Sequence, residues 1–318
     1  MNAAKMESKG FEIVVGVTPI KTKSFEWDIN ANFSKTQNKV LALAEGVDNL
    51  FLGGFTDPQI RAVAGMEYRT IYGYDWYRDA SGNPIIYDGS DPNFDWPKGF
   101  PIYDGREMRP LGKVNPDWIA NITNTFTYKG FSLSALLDIK HGGLMYNGTH
   151  YAMNYFGTSA ETATREVFYS ANGTLDLTKT PASNVVVFDG VMGHIDAAGD
   201  PVATTTKNTE KVVKSQDWYR YYGGSNFAQG PTAGAMQDAG WVRLREVTFT
   251  YRFDKKLLNK TFVSGLEFYF TGRNLWLHTK YDGIDPETNL EGASNSQGMD
   301  YFNMPGTKTY TFGVKVDL

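Results

Sequence analysis

The feature that most constrains the fold is a regular alternation of apolar and polar residues near the C-terminal end of the chain. Three segments within residues 238–318 show it. The second has apolar side chains at Leu266, Phe268, Phe270, Leu275 and Leu277, and the last has them at Tyr310, Phe312, Val314, Val316 and Leu318. A period of two residues predicts a β-strand whose two faces meet different environments. Long, aromatic-rich strands of this kind are typical of a transmembrane β-barrel rather than of a soluble sandwich.

The same alternation predicts further strands upstream. The clearest has apolar side chains at Phe25, Trp27, Ile29, Ala31 and Phe33. We expect Phe25, Trp27, Ile29 and Phe33 to face lipid, with Asp28 and Asn30 on the opposite face. An Arg or Lys at a mid-bilayer position of the lipid face should cost about 2–4 kcal/mol.

The predicted strands are separated by connections that alternate between short and long. Short turns are expected near residues 19–23, 129–130 and 254–263, and long segments near 36–115 and 142–239. Barrels of the outer membrane have short periplasmic turns and long outer loops. The sequence therefore predicts an all-β fold, namely about seven strands of a larger antiparallel transmembrane β-barrel with long extracellular loops.

Composition agrees with this fold and excludes several others. The chain has 318 residues, a mean hydropathy of −0.39 and no apolar run long enough to predict a membrane-spanning helix. Its net charge of −4 gives no basic surface for nucleic acid. Since cysteine is absent, disulfides, thiolate metal sites and cysteine catalysis are excluded.

Five short motifs, in this order, carry a family resemblance: Leu244-Arg245-Glu246, Tyr251-Arg252-Phe253, Thr271-Gly272-Arg273-Asn274-Leu275, Tyr281-Asp282-Gly283-Ile284-Asp285-Pro286-Glu287 and Asp300-Tyr301-Phe302-Asn303-Met304-Pro305. They resemble the C-terminal end of SusC/RagA-type TonB-dependent outer-membrane transporters. Upstream, Gly10-Phe11-Glu12 and Trp27-Asp28-Ile29-Asn30 resemble barrel strands of the same family.

The resemblance implies a Gram-negative outer-membrane importer of oligosaccharides or peptides, with no catalytic activity and no cofactor. Its partners would be membrane lipid, a SusD-like surface lipoprotein and TonB, which acts through a plug. Barrels of this kind have about 22 strands. Because residues 1–9 do not read as a secretory signal, we expect residues 1–318 to be the C-terminal portion of the barrel. The plug and the early strands would then be absent.

Aromatic side chains in the long segments are the candidate substrate-binding residues: Trp76, Tyr77, Trp96, Trp218, Tyr219, Tyr221 and Tyr222. Such rings stack on sugars or clamp peptides, because they combine an apolar body with a polar edge. The alternative is that they only pack the loops together or contact a partner.

Charged residues in the last strands predict a polar lining of the barrel interior. This lining would comprise Arg243, Arg245, Arg252, Arg273, Glu246 and Glu267. We expect Glu246 to pair with an arginine. In contrast, Asp285 and Glu287 are expected to serve only in a turn before the last strand.

Metal and catalytic sites find little support in the sequence. Residues 79–83 begin like a calcium loop, but the remaining oxygen ligands are missing, so a β-turn is expected. The four histidines are scattered without metal-site spacing. The alternative to a transporter is a secreted β-sandwich that binds glycan, or a glycoside hydrolase with paired carboxylates.

Overall fold

The computed structural model describes residues 4–164, 166–225, 230–259 and 261–318. Strands dominate this part of the chain. They are β1 Ala4–Lys21, β2 Phe25–Leu43, β3 Asn49–Gly54, β4 Gln59–Val63, β5 Thr70–Trp76, β6 Ile85–Tyr87, β7 Tyr103–Lys113, β8 Trp118–Tyr128, β9 Phe131–His141, β10 Leu144–Asn147, β11 Val185–Val186, β12 Val191–Ile195, β13 Pro201–Lys207, β14 Val212–Val213, β15 Met236–Asp238, β16 Trp241–Arg252, β17 Gly265–Thr279, β18 Met299–Asp300 and β19 Thr309–Asp317.

Helices are short. The α-helices are α1 Gly148–Phe156, α2 Gln216–Tyr221 and α3 Lys255–Leu258, and the 3₁₀ turns are Ala160–Thr162, Ala182–Asn184 and Thr232–Ala235. Within the described ranges, none of the helices has the length and apolar character needed to cross a membrane.

The long strands form one sheet, which we call the wall. In the described part of the chain it has seven strands in the order β1-β2-β8-β9-β16-β17-β19, and every neighbouring pair is antiparallel. The order in the sheet follows the order in the chain, and β1 and β19 are its two edges. The prediction of about seven antiparallel strands is thus confirmed. The single sheet also speaks against the β-sandwich alternative, which needs two packed sheets.

The two faces of the wall differ sharply in chemistry. Residues paired directly across the strands lie on the same face. One row across six strands is entirely apolar: Trp27, Phe126, Leu133, Phe249, Phe270 and Phe312. The next row, on the opposite face, is entirely polar: Asp28, Thr125, Ser134, Thr248, Thr271 and Thr311. We call these the apolar face and the polar face.

The apolar face is largely uncovered, and its rings pack on one another. Ring centroids of Phe131 and Tyr251 are 4.4 Å apart, and those of Trp27 and Phe126 are 5.6 Å apart. Phe312 is 80% exposed despite its size. A contiguous apolar surface of this extent is not stable in water and calls for an apolar environment.

Two predicted strand limits are wrong. The first short turn was expected near residues 19–23, which would end the first strand at Pro19, but β1 runs to Lys21 and accommodates the proline at a register shift between Val17 and Ile20. Proline is tolerated there because a bulge relaxes the ladder. The first long connection was expected from residue 36, but β2 continues to Leu43, since its polar residues are still paired with β1.

A bulge also corrects the pattern predicted for β17. Between the pairs Leu244–Trp276 and Glu246–Arg273 the register shifts, and Asn274 has a φ of 53°. The apolar ring beyond the bulge is therefore Trp276, on the apolar face. Leu277, which seemed to continue the apolar positions, pairs with Arg243 on the polar face.

The three long connections fold together into a second unit, which we call the loop body: the described residues of 44–117, 142–240 and 280–308. All three connections leave the same end of the wall. Parallel pairs join one connection to another: β6 pairs with β12, and β10 pairs with β18. A fully buried apolar core forms here, centred on Ile60, Ile71 and Met299.

Candidate functional site

Most of the candidate aromatic residues meet in the loop body. Five of the seven belong to one aromatic cluster with Phe100 and Phe188: Trp76, Trp96, Trp218, Tyr219 and Tyr222. The rings of Trp76 and Trp218 are stacked, with centroids 6.2 Å apart and planes inclined by 14°. Trp96 meets Tyr222 edge to face at 5.2 Å. The alternative that these residues pack the loops together is therefore correct in part, because their rings form a core of the loops.

The other two candidates lie elsewhere. Tyr77 is 7% exposed in a separate core with Ile85 and Ile102, and the Arg106 guanidinium lies 4.6 Å from its ring centroid. Tyr221 is 43% exposed and lies beside Arg220. Neither lines the cavity that opens beside this aromatic cluster.

A cavity of about 340 Å³ opens beside the aromatic cluster, and we call it the loop cavity. Trp76, Trp218 and Tyr219 contribute aromatic surface to it. Its polar surface comes from His150, Asn154, Glu161, Asp189, Lys214 and Gln237. A cavity of this size, with apolar rings and a few polar groups, suits a small oligosaccharide or peptide fragment.

Short helices position these side chains. α1 begins after Asn147, whose side-chain oxygen accepts a hydrogen bond from the His150 backbone N–H at 3.1 Å. It ends at Gly157, where φ is 71°. α2 begins after Ser215, which caps the Asp217 N–H. Capping by Asn and Ser fixes where each helix starts, and hence which side chains reach the cavity.

A close approach between Trp76 and the chain after α2 completes the aromatic surface. Gly223 has a φ of 119°, and a Cβ at this position would lie 2.0 Å from Cη2 of Trp76. Only glycine satisfies both the backbone angle and the space. The sequence gives no hint of this contact, because the two residues are far apart in the chain.

An ion pair lies on the polar side of the loop cavity. His150 Nε2 is 2.8 Å from Glu161 Oε1, and Asn154 Nδ2 donates to the same oxygen. The hydrogen bond to Glu161 raises the pKa of His150, and that same bond lowers the pKa of Glu161. Burial raises the pKa of Tyr219 to about 12, so its hydroxyl is protonated at neutral pH.

Most of the charged residues predicted to line a barrel interior form ion pairs on the polar face, with partners that sequence reasoning missed. The expected pairing of Glu246 is confirmed, because Arg273 Nε lies 2.8 Å from its Oε2. Arg243 is buried and donates two hydrogen bonds to Asp285, of 2.6 and 3.1 Å. Arg245 binds both oxygens of Glu287 at 2.8 and 2.9 Å.

Asp285 and Glu287 thus do more than form a turn. They attach the segment after β17 to the polar face of the wall. A signal was available in the sequence: two arginines at a spacing of two residues, Arg243 and Arg245, match two acidic residues at the same spacing. Of the remaining lining residues, Arg252 lies 3.9 Å from Asp317, which is at the limit of an ion pair.

The other candidate sites are structural. Asp79 Oδ1 accepts hydrogen bonds from the backbone N–H groups of Ser81 and Asn83, which is a turn. His141 stacks on Trp118. Among the residues that the structure describes, no group of three or more His, Asp or Glu side chains is arranged to hold a metal ion.

Several known proteins are similar to this chain over almost all of its length. No protein-family model matches the chain. It is 25% identical over 337 residues to the TonB-dependent receptor P3 of Formosa agariphila, which covers 99% of this chain and 29% of the receptor. It is 23% identical over 325 residues to the TonB-dependent receptor SusC of Bacteroides thetaiotaomicron, covering 99% of the chain and 27% of SusC.

Two solved structures are also similar to this chain over 99% of its length. The RagAB peptide importer in its open-open state matches with a TM-score of 0.62 at 16% identity, over 99% of this chain and 29% of the importer chain. The closed-closed state gives the same TM-score and identity, over 30% of that chain. The resemblance to SusC/RagA-type receptors is confirmed. The wall has the fold of part of an antiparallel transmembrane β-barrel, and the chain spans less than a third of the curated relatives it matches.

Proposed function

We propose that this chain is the C-terminal portion of the barrel of a SusC/RagA-type importer in the outer membrane of a Gram-negative bacterium. In this role the apolar face contacts lipid, the polar face lines the interior, and the loop body lies outside the cell. The importer takes up oligosaccharides or peptides together with a SusD-like lipoprotein. Energy comes from TonB through a plug that lies outside these residues.

The observation that carries the proposal is the division of the wall into two faces. An unbroken apolar row across six strands, backed by an unbroken polar row, is the arrangement that a wall between lipid and an aqueous interior requires. The short turns at one end and the loop body at the other fit the two sides of an outer membrane.

The extent of the chain also supports the proposal. The described wall has seven strands with two open edges, whereas plugged transporter barrels have about 22 strands. Open edges are not tolerated in hydrocarbon, because their backbone groups have no partners there. The remaining strands of a complete barrel would pair with β1 and β19.

For the substrate, we propose contact with three of the aromatic residues that line the loop cavity, Trp76, Trp218 and Tyr219; Tyr151 and Phe188 line it too. Trp96 and Tyr222 support them from within the cluster. A direct role for Tyr77 and Tyr221 stays a prediction from the sequence. Ring stacking suits both sugars and peptides, so the substrate class has to come from experiment.

Uptake by cells tests the proposal. The full-length protein that contains this chain would be expressed with its neighbouring lipoprotein, and import of labelled oligosaccharides and peptides measured with and without TonB. We expect TonB-dependent import of one class, reduced at least tenfold by Trp218→Ala. Tyr169→Ala, which removes an exposed tyrosine outside the loop cavity, serves as the matched control. Import that does not depend on TonB, or a protein absent from outer-membrane fractions, would contradict the proposal.

A further inference from the structure

A second cavity, of about 420 Å³, lies where the ends of β9 and β16 meet the loop body; we call it the strand-end cavity. Its polar lining includes Arg69, Lys140, Glu287, Asn289 and Gln297, and it shares no lining residue with the loop cavity. Neither the aromatic candidates nor the predicted charged lining accounts for it.

Arg69 carries a positive charge into this cavity without a negative partner. Its guanidinium donates to Gln297 Oε1 at 2.8 Å and to Asn115 Oδ1, which are neutral amide oxygens. Its Nε–H is buried and makes no hydrogen bond. In the described ranges, no carboxylate lies within ion-pair distance of Arg69. Burial of an unpaired charge is costly, so its retention favours a ligand that supplies the missing charge.

Lys140 is the second cation of the cavity, and it too lacks a carboxylate partner among the described residues. Its Nζ lies over the indole of Trp241, 4.6 Å from the ring centroid. A cation–π contact leaves the ammonium hydrogens largely free for hydrogen bonds to a ligand.

The acidic residue in the lining makes no ion pair with either cation. Both oxygens of Glu287 accept hydrogen bonds from Arg245, and one of them also lies 3.4 Å from Arg243. Glu287 and Asp238 act on Lys140, and Glu67 on Arg69, only from beyond ion-pair distance. Arg69 and Lys140 therefore line the strand-end cavity with no ion pair among the described residues.

We propose that the strand-end cavity is an anion-binding subsite that takes a carboxylate group of the imported substrate. Arginine and lysine together suit a carboxylate, since arginine offers directed N–H donors and lysine a mobile point charge. The carboxylate comes from a uronic acid of an oligosaccharide or from an acidic side chain of a peptide. That the ligand is an import substrate rests on the proposed function, whereas anion binding itself does not.

Calorimetry on the full-length protein, purified in detergent, tests the subsite with two matched pairs of probes. One pair is digalacturonate and digalactose; the other is a blocked Glu-Glu dipeptide and its Gln-Gln counterpart. We expect one acidic probe to bind at least tenfold more tightly than its neutral counterpart at low salt, and the preference to shrink as salt rises. The pair that shows the preference identifies the source of the carboxylate.

Two variants assign the preference to this cavity. Lys140→Met removes a cation whose ammonium group makes no hydrogen bond to the described residues, and Arg69→Gln removes the other. Each should weaken the preferred acidic probe about tenfold, which is about 1.4 kcal/mol, and leave its neutral counterpart unchanged. Lys179→Met is the matched control, because it removes an exposed cation that pairs with Asp176 away from both cavities.

Equal binding of acidic and neutral probes by the unaltered protein overturns the anion subsite, as does an acidic preference that survives both variants. These outcomes are distinct from failure of the proposed function. A protein that imports neutral probes through TonB without any acidic preference retains the transport role and loses the subsite. One that shows the acidic preference but supports no import retains the subsite and loses the transport role.

Discussion

The wall and the loop body both contain hydrogen-bonded strands, but their apolar side chains point in opposite directions. In the wall, large side chains such as Phe249 and Phe312 turn outward and stay exposed. In the loop body, Ile60, Ile71 and Met299 turn inward and are fully buried. The loop body therefore has a core of its own, like a water-soluble domain, whereas the wall depends on what surrounds it. Four changes test this contrast.

The largest effect is expected where the two regions are joined. Arg243→Ala leaves Asp285 buried without its partner, and breaking one side of a buried ion pair costs about 3–5 kcal/mol. We expect the segment 280–308 to detach from the polar face and become a site of limited proteolysis. Arg273→Ala, which breaks the more exposed pair with Glu246, is the control and should cost at most about 1 kcal/mol. Equal proteolysis of the two variants would show that the join lies elsewhere.

The next effect tests which face of the wall is outside. Ile29→Arg places a charge on the apolar face, farther from the short turn than Trp27, and should cost about 2–4 kcal/mol in a bilayer, whereas Asp28→Arg in the polar row should cost much less. Denaturant unfolding of the full-length protein in lipid vesicles measures both. Greater sensitivity at Asp28 would mean that the faces are assigned the wrong way round.

A smaller effect is expected inside the loop body. Gly223→Ala brings a Cβ against the Trp76 ring at a residue whose φ of 119° already disfavours a side chain. We expect a loss of about 2–3 kcal/mol of local stability and a changed tryptophan fluorescence. Gly199→Ala is the control. Gly199 also has a positive φ, but no atom lies within 4 Å of the added Cβ, so this variant measures the backbone cost alone. A fluorescence spectrum unchanged by Gly223→Ala would argue against the Trp76 contact.

The smallest effect concerns pH. Because the pKa of His150 is raised above its ordinary 6.5 and that of Glu161 is lowered, their ion pair exists between the two shifted values. It is lost as pH rises through the pKa of His150, and again as pH falls through that of Glu161. The pair is partly exposed, so its contribution is below about 1 kcal/mol. Glu161→Gln should lower the pKa of His150 in an NMR titration, and an unchanged value would count against the pair.

The same contrast explains what the sequence could predict. In the wall, the order of the strands in the sheet follows their order in the chain, so a period of two residues such as that of Trp27, Ile29 and Phe33 predicts both the strand and its faces. The exceptions arise from bulges. Alternation alone could not locate the shift at Asn274, and it therefore placed Leu277 with the apolar positions and passed over Trp276.

In the loop body, the sequence predicted residue types but not their arrangement. Trp76 and Trp218 were identified as candidates from their chemistry, yet their stacking depends on contacts between two different connections. The strand-end cavity was not predicted, because Arg69 and Lys140 lie in different elements and neither belongs to a motif. Such sites come from tertiary contacts that no local pattern encodes.

The parallel pairs between connections also set an order of folding. Each hairpin of the wall closes a short stretch of chain, so it pays a small entropic cost and can form early. The pairing of β10 with β18 joins the second connection to the third, and β18 lies after β17 in the chain. We therefore expect the loop body to form after the hairpins, and its protection from hydrogen exchange would report that the whole wall segment has been correctly assembled.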